Sequence, residues 1–292
     1  MCGAVAWSSG REDSGVATPR LASLRLAGAD GGPLYVDVRT GARPGERRPV
    51  VIVCHGFKGF KDWGFFPRMS ERLALAGFTA VTFNFSGSGV GPSSETVDEP
   101  DRWFRQTLSN DAADLGTVIT HFGESDPSWT ALIGHSRGGG TAVLQAARDG
   151  RVRALVTLSA VSSFFRYSPE EVRRWRRDGC IEVVNARTGQ VLPVGTALLD
   201  DLEANGAGSL DITGAAPRVR VPWLVLHGTA DETVPVAEAE ELRRASGSPA
   251  TVLALVDGAG HAFGARHPWA GSSPELDLVF GRTVEFLGRA LG

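Results

Sequence analysis

Apolar positions along this chain follow two periods, and the places where one gives way to the other outline the fold. Residues 21–28 (LASLRLAG) and 33–40 (PLYVDVRT) alternate polar with apolar side chains, the signature of two half-buried strands pairing antiparallel. Residues 49–56 (PVVIVCHG) are apolar without alternation, as a strand covered on both faces must be. Similar short runs at 79–85, 129–136, 152–160, 221–228 and 250–258 predict further strands. Between them lie segments of helical spacing. One spans 67–77, with Pro67 suited to a first turn and Gly77 to a helix end. Others span 109–122, with Ser109 as a candidate N-cap, 139–150, 236–246 and 274–291. Strands alternating with helices predict an α/β fold: a mostly parallel sheet of eight strands with helices on both faces. No internal repeat interrupts the series.

The alternation breaks between 161 and 216. A helical piece, SPEEVRRWRRDG (168–179), precedes a hairpin pattern, CIEVVNARTGQVLPV (180–194), that turns near Gly189. So long an interruption inside a compact domain is usually functional, and its own elements predict a small lid. The expected organisation is a flexible leader over 1–20, a core formed by 21–160 and 217–292, and a lid insertion over 161–216. The leader lacks the basic start and sustained apolar stretch of a signal peptide.

Charge and cysteine content narrow the function classes. A formal net charge of -3 argues against a nucleic-acid partner, which would call for a basic patch. No apolar run reaches the length of a membrane span. Cys2, Cys54 and Cys180 are odd in number and far apart, so neither a disulfide framework nor a metal site is expected, and the reading favours a reducing cytoplasm. Nothing in the pattern specifies an oligomeric state.

The candidate chemistry lies in ALIGHSRGGGTAV (131–143), where Ser136 stands between Gly134 and Gly138. Gly-x-Ser-x-Gly between a strand and a helix permits a sharp, strained turn that lifts the hydroxyl above the sheet edge. A neutral hydroxyl is a weak nucleophile and needs a base, an acid to orient that base, and donors for an oxyanion. LHGTADETVP puts Asp231 just past one predicted strand, and VDGAGHAF puts His261 just past the next. Loops at that end of an open α/β sheet converge on the ligand. Ser136 is therefore expected as nucleophile, His261 as general base and Asp231 as its orienting acid. Among the alternatives, Glu232 is expected to point elsewhere and Asp257 to be structural. His227 should be packed and hydrogen-bonded, His267 should lie in a surface loop, His121 sits at a helix end, and His135 should point away from Ser136. The expected oxyanion donors are the backbone N–H groups of Arg137 and Phe57, the latter on the loop HGFKGFKDWGFFP after the third strand, where Gly56 permits close approach.

HGFKGF, FNFSGSG, GHSRGG, HGTADETVP and GAGHAF, in that order, resemble the α/β-hydrolase superfamily, and the likeness runs from about residue 21 to the end. Within it the chain resembles the bacterial cinnamoyl/feruloyl esterases and dienelactone-hydrolase-like proteins, whose small lid the insertion is similar to. The resemblance implies a serine carboxylesterase that forms an acyl-enzyme on a small-molecule ester, possessing no metal or organic cofactor. Dienelactone hydrolases proper use a cysteine nucleophile where this chain has Ser136. Two other readings stand beside it: a thioesterase or small peptidase of the same fold, and a non-catalytic binding protein on a hydrolase fold, against which the complete Ser–Asp–His set argues.

Five other features bear on the picture. SGSGVG (86–91) looks like a dinucleotide loop but is followed by Pro92 and a polar run instead of a helix, so a turn is expected. Cys54 beside His55 lies in a buried run and reads as core. Arg166, Arg173, Arg174, Arg176 and Arg177 form a solvated face or a rim for anions. Phe164, Phe165, Tyr167 and Trp175 are either walls for an aromatic acyl group or the lid's own core. The only two lysines, Lys58 and Lys61, fall in one four-residue stretch of a chain with 30 basic residues. Lys58 is expected to touch substrate and Lys61 to pair with a carboxylate.

Overall fold

Residues 7–8, 19–43, 46–123, 129–185 and 187–291 are described by the computed structural model. Most of the expected leader, 1–6 and 9–18, and Cys2 with it, lie outside the described residues. The strands are β1 (Trp7–Ser8), β2 (Arg20–Ala27), β3 (Pro33–Thr40), β4 (Val50–Cys54), β5 (Thr79–Phe83), β6 (Thr130–His135), β7 (Val152–Leu158), β8 (Cys180–Val184), β9 (Val191–Gly195), β10 (Trp223–Gly228) and β11 (Thr251–Val256). The helices are α1 (Phe66–Leu75), α2 (Pro100–Phe104), α3 (Leu108–Gly123), α4 (Arg137–Ala146), α5 (Pro169–Asp178), α6 (Thr196–Asn205), α7 (Ile212–Ala215), α8 (Val236–Ala245) and α9 (Pro274–Leu291).

The eight expected strands join one sheet in the order β2-β3-β5-β4-β6-β7-β10-β11, and the two-residue β1 adds to its β2 edge. From β5 to β11 every pairing is parallel, whereas β2, β3 and β5 pair antiparallel in turn. The run of apolar residues in β4 and β6 follows from this position, since both strands are buried along their whole length. Successive side chains point to opposite faces. Ile52, Leu132, Leu155 and Val225 pack on the face covered by α3, α4 and α8. Val51, Val53, Ile133 and Val156 pack on the other, with Met69 and Leu73 of α1 and Leu276, Val279 and Phe280 of α9.

Between β7 and β10 the chain leaves the alternation, as its pattern indicates. Helix α5 opens on a capping box: Ser168 Oγ accepts the Glu171 N–H while the Glu171 carboxylate accepts the Ser168 N–H. Strands β8 and β9 form a separate hairpin, from Cys180 opposite Gly195 to Val184 opposite Val191. Helices α2, α6 and α7 were not anticipated. Two are five residues or shorter, and α6 lies in the stretch where the strand–helix rhythm gives no guide. Trp175, Leu192, Val194, Leu198 and Leu202 are continuous with the core on the α3 and α4 face, so the inserted segment is packed onto the sheet through its own apolar side.

Candidate active site

The turn from β6 into α4 places Ser136 at φ 55° and ψ −123°, a left-handed conformation that a residue with a side chain adopts at a cost of order 1–3 kcal/mol. The neighbouring backbones come too close for anything but glycine beside it. A Cβ on Gly134 would lie 2.4 Å from the Gly138 carbonyl oxygen, and one on Gly138 would lie 2.3 Å from that of His55. The Ser136 N–H is held by the Leu158 carbonyl at 2.9 Å, while its hydroxyl has no hydrogen-bond partner among the described residues.

Asp231 follows β10 and His261 follows β11, so the parallel register of those strands delivers both to the same sheet edge. His261 Nδ1 lies 2.9 Å from Asp231 Oδ2. With the carboxylate as acceptor, Nδ1 carries the hydrogen and Nε2 is the basic nitrogen. Asp231 Oδ1 accepts the N–H groups of Thr233 and Val234, each at 2.9 Å. Burial acts to raise the Asp231 pKa, but hydrogen bonds from His227, His261 and the Val234 amide outweigh it and hold the carboxyl well below the ordinary carboxylate range. His227 Nε2 lies 2.8 Å from the Val234 carbonyl and 3.4 Å from Asp231, so its hydrogen is shared between the two acceptors. His227 is thus packed and hydrogen-bonded, as its sequence position indicates. His261 packs on His135, the residue before Ser136, with ring centroids 4.8 Å apart, and its carbonyl accepts the His135 Nε2–H at 3.0 Å.

The loop after β4 closes over the elbow. His55 Nδ1 lies 2.9 Å from the Gly56 carbonyl, and its Nε2 accepts the Phe85 N–H at 3.2 Å. Burial pushes its pKa down to about 4, so the ring is a neutral strut. A Cβ on Gly56 would come within 2.8 Å of Ser136 Cβ, so glycine there lets the loop touch the Ser136 turn. Neither the Phe57 N–H nor the Arg137 N–H is taken by a hydrogen bond among the described residues. A cavity of about 180 Å³ opens beside Ser136, walled by Phe57, Val161, Phe164, Tyr167 and Leu198.

A family profile described as alpha/beta hydrolase fold matches residues 49–191. The chain has the α/β-hydrolase fold. Among curated relatives, the uncharacterized protein YfhR of Salmonella typhi is 25% identical over 229 residues, 74% of this chain and 65% of that protein, so the match spans just under two thirds of the relative's length. Among solved structures, Est1E of Butyrivibrio proteoclasticus bound to ferulic acid superposes with a TM-score of 0.71 at 18% identity, covering 92% of this chain and 99% of the other. A dienelactone hydrolase from Anabaena variabilis superposes with a TM-score of 0.62 at 17% identity, covering 93% and 98%.

Other positions depart from the sequence reading. Trp175 does not face the cavity. It is fully buried among apolar side chains continuous with the sheet's core, and its Nε1–H donates to the Val194 carbonyl at 2.9 Å. Phe165 is exposed and lines no part of the cavity, whereas Phe164 does. The helix turns Trp175 inward on one face, a choice that aromatic content alone does not reveal. Lys58 also lies outside the cavity wall, with its Nζ 3.5 Å from the Val184 carbonyl of the hairpin. Lys61 does pair with carboxylates: its buried Nζ lies 2.6 Å from Asp37 and also reaches Asp62. His267 lies in a loop, as expected, and is partly exposed, but its ring is tucked inward. Its side chain is 6% exposed and its Nδ1 accepts the Gly64 N–H at 2.9 Å, bracing the loop after β4 from behind.

SGSGVG forms a short 3-10 turn ending at Gly89, with no helix opening from it. Arg173, Arg174, Arg176 and Arg177 lie on an exposed face, while Arg166 pairs with Glu238 and lines the cavity. Sequence reasoning missed Leu108, Leu198 and Leu202 as cavity walls. The two α6 leucines recur four apart in TALLDDLEAN, a helical spacing that was there to be read. Among the described residues, no group of His, Cys, Asp and Glu side chains is arranged to hold a metal ion, and no helix is long and apolar enough to cross a membrane.

Proposed function

We propose that this protein is a serine hydrolase of carboxylic esters, working through an acyl-enzyme. Ser136 Oγ attacks the ester carbonyl carbon as its proton passes to His261 Nε2. The imidazolium that forms is stabilised by Asp231, which stays ionised. The carbonyl π electrons move onto oxygen, and the N–H groups of Phe57 and Arg137 receive that oxyanion. Collapse restores the carbonyl, breaks the bond to the alcohol oxygen and returns the His261 proton to it. Water, deprotonated by the same imidazole, then releases the acid and regenerates Ser136. The observation that carries the reading is the 2.9 Å Asp231–His261 contact at the sheet edge where the strained Ser136 turn also emerges.

The apolar, aromatic-walled cavity favours an acyl group with a flat apolar portion, and the ferulic acid held by Est1E is consistent with an aryl or hydroxycinnamoyl ester. Segment 161–216 would act as a lid that supplies Phe164, Tyr167 and Leu198 to one wall. Free thiols at Cys54 and Cys180 suit a reducing cytoplasm. The test is labelling by an active-site fluorophosphonate together with turnover of an aryl and alkyl ester panel. Wild type should label and turn over. Ser136→Ala should do neither, and Asp231→Asn should lose about 10⁴-fold in kcat. A Ser136→Ala protein that still labels would refute the assignment, and faster turnover of acyl thioesters or aminoacyl amides would shift the substrate class.

A further inference from the structure

We infer that the Arg137 side chain is a positioning residue that holds the two halves of the oxyanion site in register, a role separate from its backbone N–H. The inference rests on the serine-hydrolase reading above. Phe57 and Arg137 belong to different segments, the loop after β4 and the first turn of α4. Their N–H groups serve one oxyanion only if both stay within a few tenths of an ångström of their places.

The two side chains are joined directly. The Arg137 guanidinium lies over the Phe57 ring, 4.8 Å from its centroid. That ring stacks on Trp103 at 5.1 Å and 22°. Arg137 Nη1 donates to Gln106 Oε1 at 2.8 Å, and Gln106 Nε2 donates to the Trp103 carbonyl at 2.9 Å. Arg137, Phe57, Trp103 and Gln106 thus close a ring of contacts, with Gln106 and Trp103 almost wholly buried. Outside that ring, Arg137 Nη2 lies 3.1 Å from Asp111, which is 1% exposed. Burial pushes the Asp111 carboxyl up to about 7 against the opposing pull of Arg137, so this ion pair is no relaxed surface contact.

Arginine suits the task because its planar fork bonds two partners in fixed directions while its face stacks on an aromatic ring. A lysine ammonium does neither. The arrangement also separates this role from capture of an anionic substrate, since two guanidinium directions are already taken by Gln106 and Asp111.

The experiment measures kcat and KM for p-nitrophenyl butyrate, which is uncharged, and inhibition by an alkyl trifluoromethyl ketone, whose serine adduct places an oxyanion in the site. The variants are Arg137→Met, Arg137→Lys, Phe57→Leu and Arg137→Met with Phe57→Leu, with melting temperature as a control. Each variant keeps both N–H groups. Arg137→Met should lower kcat by about tenfold to a hundredfold, leave KM within about twofold, and weaken the ketone by the same factor as kcat. Arg137→Lys should not restore it, and the double variant should be no worse than Arg137→Met alone. Wild-type kcat and ketone affinity in Arg137→Met, additive effects in the double variant, or a loss confined to KM would each overturn the inference. Should Arg137→Met fail to fold, Phe57→Leu leaves the Asp111 pair in place, and unchanged ketone affinity there overturns it equally. A wild-type protein that neither labels nor turns over overturns the serine-hydrolase reading and this one together. An active wild type matched by Arg137→Met overturns this one alone.

Discussion

The turn that carries Ser136 and the helix α5 that carries Trp175 achieve their packing by opposite means. Around Ser136 the backbones themselves touch, and the geometry depends on side chains being absent at Gly134, Gly138 and Gly56. The polar groups beside it, His55 and His135, are buried and neutral. Helix α5 instead has one large buried side chain, Trp175, and an outward fringe of arginines. The first arrangement is locked by steric exclusion and tolerates almost no change. The second is held at one apolar anchor and leaves its outer face free to vary. A site whose geometry must be kept within fractions of an ångström is built the first way. A segment that shapes a cavity wall can be built the second way.

Removing the anchor tests this contrast most severely. Trp175→Ala should cost about 3–5 kcal/mol, the range for deleting a fully buried aromatic side chain. If the insertion depends on that anchor, the loss falls on it first. Hydrogen exchange should accelerate in α5, β8 and β9 while β4 and β6 stay protected. Turnover of a short acyl ester should survive, and KM for a bulky aryl ester should rise as the wall of Phe164 and Tyr167 loosens. Equal loss of protection in β6 would show that the insertion and the sheet form one cooperative unit and would remove the distinction.

The same contrast explains what the sequence revealed. Glycines at 134 and 138, a hydroxyl between them, and Asp231 and His261 each just past a strand are legible one by one, because the chemistry we propose demands particular residue types at particular turns. The strands were legible for a related reason. Burial on both faces of β4 and β6 forces uninterrupted apolar runs, and the half-exposed β2 forces alternation. Trp175 and Phe165 were left between two readings because which way an aromatic turns in the inserted segment depends on contacts outside its local pattern, such as the Val194 carbonyl that accepts the Trp175 N–H. The burial of the His267 ring escaped notice likewise: its partner Gly64 is 203 residues distant. The α2 and α6 helices escaped because neither lies in the strand–helix rhythm that guided the rest.

A smaller effect, confined to the Ser136 side of the comparison, comes from pH. The pKa of His55 is lowered by burial from 6.5 to about 4 in the folded protein. Below 6.5 the unfolded chain takes up a proton that the folded one refuses, so the stability linked to His55 is complete above 6.5 and declines as pH falls toward 4. His135, lowered to about 3, acts in the same direction. Asp111, raised to about 7, acts in the opposite direction, because over the same range the folded protein gains the proton first. The raw acid slope therefore mixes signs, and the difference between two proteins isolates one group. Against wild type, His55→Gln should be destabilised at pH 8, and that deficit should shrink by about 3 kcal/mol between pH 7 and pH 4. A deficit that is constant with pH in urea titrations would mean that His55 is not the neutral strut it resembles.

The smallest effect belongs to the arginine fringe. Arg176 bridges α5 to α6 through Asp200 and Glu203, the latter at 2.6 Å, yet all three side chains are substantially exposed. In water such pairs gain little, because solvent screens the attraction and two long side chains lose rotamer freedom to hold one geometry. Arg176→Ala should therefore barely move the urea midpoint, and 0.5 M salt should erase most of the difference, since the Debye length then falls to a few ångströms. The outcome weighs directly on how α5 is held. If Arg176→Ala approaches the cost of Trp175→Ala, the ion pairs do the holding and the apolar anchor is secondary. If the two differ severalfold, the outward arginines serve mainly to keep that face hydrated, and α5 is fastened from beneath by a single indole.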